Sequence, residues 1–243
     1  MNRYLFLCFV CVFLLLSMMP AAAREESLTE EAIREAFASW EDETGEFAVT
    51  NPVEMAWEVG SFTGPDAVEA VVSFVDYDQA HYALPGELWL LEKNETFTPV
   101  MMIDQSDEIT FQAIDVNNDG VDEVFYRATR SVTGGLRFTH ESLVSLLGGE
   151  VRVLYNADGS DYWFYNEMMY SEDEPMIDHE ITLEDIDGDG VLELSDTEMV
   201  GEFEYTGVGE DGYELQYTPA KTTVYRFITD EGNNIVSIEE ITE

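Results

Sequence analysis

Ile181-Thr182-Leu183-Glu184-Asp185-Ile186-Asp187-Gly188-Asp189-Gly190-Val191-Leu192-Glu193-Leu194 is the stretch on which the fold turns. A short apolar-alternating run enters, acids fall at every second position, a glycine follows, and a second short apolar run leaves. The same order recurs as Phe111-Gln112-Ala113-Ile114-Asp115-Val116-Asn117-Asn118-Asp119-Gly120-Val121-Asp122-Glu123-Val124-Phe125-Tyr126. An eroded third copy lies earlier, at Ser61-Phe62-Thr63-Gly64-Pro65-Asp66-Ala67-Val68-Glu69-Ala70-Val71-Val72. It keeps the ninth-position acid and the following strand but has lost the aspartates. Recurrence of one supersecondary unit implies stacked or radially arranged sheets.

The spacing suits a hard divalent cation. Calcium takes six to eight oxygen ligands without strict geometry. Acids at positions 1, 3 and 5 of a tight loop point inward, and glycine at position 6 lets the chain reverse with positive φ. Position 7 offers its backbone carbonyl and position 9 another acid. In the later loop these are Asp185, Asp187, Asp189, Val191 and Glu193; in the earlier loop they are Asp115, Asn117, Asp119, Val121 and Glu123. The later loop carries four formal negative charges and the earlier one three, so the later loop is expected to bind more tightly. Magnesium suits such a loop less well, because it demands octahedral geometry and resists dehydration. The plain reading against all this is that Asp-Gly and Asn-Gly pairs simply make good hairpin turns.

At these residues the chain resembles the FG-GAP or VCBS repeats of integrin-α-type β-propellers, whose loops read D-x-D/N-x-D-G-x-x-D/E before an apolar strand. The resemblance implies a four-stranded antiparallel blade with the calcium loop between its first two strands. Two features depart from the family's usual form: glutamate replaces the more common ninth aspartate, and no Phe-Gly/Gly-Ala-Pro signature is present. Propellers typically carry four to eight blades. Three units therefore imply an open blade stack, a sandwich, or closure through association. Residues 185–196 also resemble an EF-hand loop, with Asp196 at position 12, but that reading requires a helix on each side. The flanking runs are short and β-like.

Working outward, 28–40 has Leu28, Ala32, Ile33, Ala36, Phe37 and Trp40 at helical spacing behind a capping box, Ser27-Leu28-Thr29-Glu30. Residues 41–45 are expected to end this helix. Beyond residue 46 the period changes to two. Candidate strands cover 67–75, 87–91, 97–103, 121–129, 143–147, 151–155, 222–228 and 235–238. Turn signals fall at 76–78, 93–95, 134–135, 148–149, 156–159 and 230–234, so an antiparallel meander is expected. The aromatic-rich 162–175 reads as a loop, capping the core or exposed as a contact patch. The fold class is thus all-β, with antiparallel blade-like repeats over 46–243, preceded by one helix and linker over 24–45.

Residues 1–23 read as a signal peptide: Arg3, an apolar run from Tyr4 to Met19, then Ala21-Ala22-Ala23. A secreted or periplasmic location follows as the expectation, with no membrane attachment after cleavage. Cys8 and Cys11 both lie in this segment, so the mature chain offers neither disulfides nor thiolate chemistry. The whole chain has 10 Lys+Arg against 52 Asp+Glu, a formal charge of −42. That balance argues against nucleic acid as a partner; a solvated acidic surface or a basic protein partner accords with it. His81, His140 and His179 share no metal-ligand spacing, and no G-x-S-x-G elbow, P-loop or dinucleotide fingerprint occurs. The expectation is an exported, acidic calcium-binding β-repeat protein with a structural or partner-binding role. An acidic decoy that inhibits a basic partner is the rival.

Overall fold

A computed structural model describes residues 28–44, 54–75, 86–131, 136–162, 176–205 and 213–241. The signal-peptide reading, His81, the turn signals at 76–78 and 134–135, and the aromatic stretch beyond Tyr162 lie outside the described residues. Among the described residues one helix, α1 (Glu30–Thr44), precedes twelve strands. These form three consecutive four-stranded meanders, all antiparallel. The first unit is β1 (Glu54–Gly60), β2 (Glu69–Val75), β3 (Gly86–Lys93) and β4 (Phe97–Ser106). The second is β5 (Glu108–Ile114), β6 (Glu123–Ser131), β7 (Leu136–Ser145) and β8 (Arg152–Tyr162). The third is β9 (Met176–Glu184), β10 (Glu193–Tyr205), β11 (Tyr213–Thr229) and β12 (Ile235–Glu240). The second and third units join into one eight-stranded sheet where Ser160 of β8 pairs with Ile177 of β9. Among the described residues the strands close into no barrel.

Three apolar layers hold the stack together. Helix α1 lays Ile33, Ala36 and Phe37 on one face of the first unit, against Ala70, Val72, Phe74 and Leu91. The Phe37 ring meets those of Phe74 and Trp89 edge-on, at 5.1 and 5.6 Å. The opposite face presents Phe62, Val71, Leu88 and Leu90 to Val124, Tyr126, Ala128 and Val144 of the second unit. Strand β2 is therefore covered on both faces and buried along its whole length, which is why 67–75 reads as a continuous apolar run instead of an alternation. The third layer sets Val116, Leu143 and Leu154 against Leu194, Phe227 and Ile235. The outer face of the third unit carries half-buried Thr197 and exposed Thr222, Arg226 and Glu239, joined across strands by Thr197–Thr222 and Arg226–Glu239 bonds. One end of the stack is thus covered by a helix and the other is polar.

Two local expectations need correction. Thr29 caps α1: its Oγ1 accepts the Ala32 amide at 3.2 Å and its carbonyl the Ile33 amide at 3.0 Å, while Ser27 lies outside the described residues. The helix ends at Thr44, within the 41–45 expected to end it, and so runs about one turn beyond the apolar spacing over 28–40. Residues 156–159 form no turn but lie inside β8, where Gly159 pairs with Thr139. A Cβ on Gly159 would sit 2.7 Å from both the Ile177 carbonyl oxygen and Thr139 Oγ1. That glycine marks a close approach of neighbouring strands rather than a reversal. The turn at Gly148-Gly149 is present, with φ of 79° and 80°.

Candidate metal centre

Each unit places its repeat loop between its first two strands: 61–68 after β1, 115–122 after β5 and 185–192 after β9. The ninth-position glutamate opens the next strand in all three. Its carboxylate reaches back to the amide of loop position 2: Phe62 to Glu69 at 2.7 Å, Val116 to Glu123 at 3.3 Å, Ile186 to Glu193 at 2.7 Å. The two acidic loops also share their backbone path. Positions 4 and 6 are left-handed in both: Asn118 and Gly120 at φ 57° and 84°, Gly188 and Gly190 at 82° and 93°. Only Gly, and to a lesser degree Asn, takes that conformation readily.

In the loop at 185–192 the oxygens of Asp185, Asp187 and Glu193 lie within 4.8 Å of one another, a group able to hold a metal ion. Asp185 and Asp187 are exposed and Glu193 is buried. Asp189 stands outside this trio. Its Oδ1 instead accepts the Val191 amide at 2.7 Å, and Asp187 Oδ1 accepts the Asp189 amide at 3.0 Å. Asp185 accepts the Gly188 and Gly190 amides at 2.7 and 3.1 Å, winding the loop around its first residue.

The loop at 115–122 is wound the same way but sits deeper. Asp115 accepts the Asp119 and Gly120 amides at 3.2 and 2.9 Å, and Asp119 accepts the Val121 amide at 2.8 Å. Val121 is buried, as are Asn117 and Glu123, each 2% exposed. Asn117 Nδ2 donates to Asp119 Oδ2 at 2.9 Å and to the Asn233 carbonyl. Turning the amide over would set its oxygen against two acceptors, so the network fixes its orientation. Asn117 Oδ1 is then buried with no hydrogen-bond partner among the described residues. An orphaned buried acceptor costs about 1–3 kcal/mol. Burial pushes the Glu123 carboxyl up to about 8; the charges of Asp119, Asp115 and Asp122 add to that, and only the Val116 amide opposes it.

The eroded loop supplies an internal comparison. Glu69 Oε2 accepts the Phe62 and Thr63 amides at 2.7 and 2.8 Å, and Oε1 the Thr63 hydroxyl at 2.6 Å. The Ser61 amide is met by Asp122 of the next unit at 2.9 Å, an approach that leaves no room for a Cβ at Gly60. Where aspartates are missing, three protein donors satisfy the glutamate; where they are present, one amide among the described residues meets it.

The loops also touch across unit boundaries. The Leu192 amide donates to the Val116 carbonyl at 2.8 Å, and Asn118 Nδ2 donates to the Gly190 carbonyl. Asn233, in the β11–β12 turn with φ 66°, returns a bond from Nδ2 to the Asn117 carbonyl at 2.9 Å. Asn118, Asp122 and Asn233 escaped the sequence reading because their partners lie in other units. Asn118, beside Asp-Gly, and Asn233, within the 230–234 turn signal, carried local turn signals but none that named a partner.

Strands β9 and β10, not helices, flank 185–192, so no EF-hand helix pair is present there. Asp196, which that reading placed at position 12, instead accepts the Tyr155 hydroxyl at 2.5 Å and meets His179 Nδ1 at 2.8 Å. His140 pairs with Asp104 at 2.7 Å. Arg127 bridges Glu141 and Asp178 across the second and third units. No family model matches the chain, and neither does any curated protein or solved structure.

Proposed function

We propose that this is an exported, acidic protein that binds calcium in two loops and uses the ions to fix its β-units for a structural or partner-contacting role. The observation that carries this is the convergence of Asp185, Asp187 and Glu193 oxygens within 4.8 Å. Three carboxylates at that range repel one another unless a cation lies between them. The donor set favours calcium among the cations: it is all oxygen, with no imidazole or thiolate, and calcium tolerates irregular coordination. The backbone path shared by the two loops, and the FG-GAP/VCBS-like order of their residues, support a second ion at Asp115, Asn117, Asp119, Val121 and Glu123. Export is supported by the apolar run and Ala21-Ala22-Ala23, and a basic partner by the −42 charge.

A ligand that binds only the folded state stabilises it by RT ln(1 + [L]/Kd), about 2.7 kcal/mol at a hundredfold excess over Kd. The melting temperature of chelator-stripped protein should rise with millimolar calcium and rise less with equimolar magnesium. Asp187→Ala should remove most of the shift. Equal shifts from any salt of matched ionic strength would leave the loops as plain turns.

A further inference from the structure

We propose that the two loops bind calcium cooperatively, coupled through Asn118 and the Val116–Leu192 backbone bond at the seam between the second and third units. This rests on the calcium reading above and adds to it a regulation of that site. The two loops are not separate hairpin turns. Position 2 of the earlier loop accepts the amide of position 8 of the later one (Leu192 to Val116, 2.8 Å), and position 4 of the earlier loop holds the carbonyl of position 6 of the later one (Asn118 to Gly190). Gly190 shares its peptide unit with Val191, whose own carbonyl is the position-7 ligand.

The earlier loop is tied to the third unit at a ligand position as well. Asn117 and Asn233 exchange two hydrogen bonds, side chain to backbone in each direction. Asn117 Oδ1, buried and without a partner among the described residues, belongs to a side chain already bonded to Asp119 within that loop. A cation that engages Asn117 Oδ1 therefore holds the residue clamped to the β11–β12 turn and the neighbour that holds Gly190. Ordering one loop orders part of the other, so the second ion binds a loop already partly fixed. Linkage makes the effect reciprocal: each ion strengthens the other by the same factor.

The test is a calcium titration of the full chelator-stripped chain, followed by calorimetry, in four forms: natural, Asp187→Ala, Asn118→Gly and the double variant. Glycine accepts the φ of 57° at position 118 and removes only the side-chain bond. Asp187→Ala should eliminate the later site and weaken the earlier one by about fivefold or more, the lower end of common couplings. Asn118→Gly should still bind two ions, and in that background Asp187→Ala should weaken the earlier site distinctly less, because only the Val116–Leu192 backbone bond is left to carry the coupling. In the Asp187→Ala protein, calcium should also slow hydrogen exchange at the Leu192 amide. An earlier-site affinity indifferent to Asp187, or equally sensitive to it with and without Asn118, overturns the coupling and leaves the calcium reading standing. A natural chain that binds no calcium overturns both.

Discussion

Glu69, Glu123 and Glu193 occupy one backbone position in three units and differ in what satisfies them. Glu69 has three protein donors within 2.8 Å and is 2% exposed. Glu69→Ala would strand the buried Phe62 amide and its neighbour, at a cost on the order of 3 kcal/mol. The urea midpoint should fall with an unchanged slope, by the same amount with and without calcium. A second residue-scale expectation concerns His140, raised above its ordinary 6.5 by its hydrogen bond to Asp104, with burial opposing. Asp104 moves the other way: burial works to raise it, but the His140 bond holds it below 3.8. A raised histidine contributes stability that is complete below about 6.5 and lost as pH rises through its folded-state value. A lowered aspartate contributes stability present above about 3.8 and lost as pH falls through its folded-state value. The pair therefore stabilises most in the mildly acidic window between them. In an NMR titration the His140 ring should titrate above 6.5 in the natural chain and lower in Asp104→Asn. An unchanged value in Asp104→Asn would deny the pairing.

At the scale of elements, β2 and α1 depend on each other. Phe37 is buried against Phe74 and Trp89, so Phe37→Ala should cost about 3–5 kcal/mol, as large aromatic truncations in cores do. Chemical denaturation checks this, and a loss under about 1 kcal/mol would mean that α1 is not the cover of the first unit. Gly159→Ala should also destabilise, because its Cβ meets the Ile177 backbone carbonyl, which cannot swing aside, as well as Thr139 Oγ1. The same elements separate what was legible in the sequence from what was not. Period-two alternation and turn residues gave most strands, and the left-handed glycines gave both acidic loops, because these are local properties of the backbone. Residues 156–159 misled because Asn, Asp and Gly favour turns locally, while here pairing with β7 and the approach of β9 override that preference. The pairing of His179 and Tyr155 with Asp196, and of Asn117 with Asn233, joins residues far apart in the chain. No spacing rule predicts such contacts.

At the scale of the whole molecule, three meanders stack, without closing among the described residues, between a helix at one end and a polar face at the other. Apolar layers hold the units face to face. The repeat loops and the β-turns hold them at one end, by bonds such as Asp122 to Ser61, Gly148 to Thr63 and Leu192 to Val116. A chain of charge −42 resists compaction, and a divalent cation among Asp185, Asp187 and Glu193 would offset the repulsion of the carboxylates gathered there. Calorimetric titration of calcium into chelator-stripped protein tests this most directly. The expected result is two ions per chain, one lost in Asp187→Ala and the other in Asp115→Ala, with magnesium binding more weakly at both. No saturable calcium binding, or binding unchanged by either substitution, would contradict it.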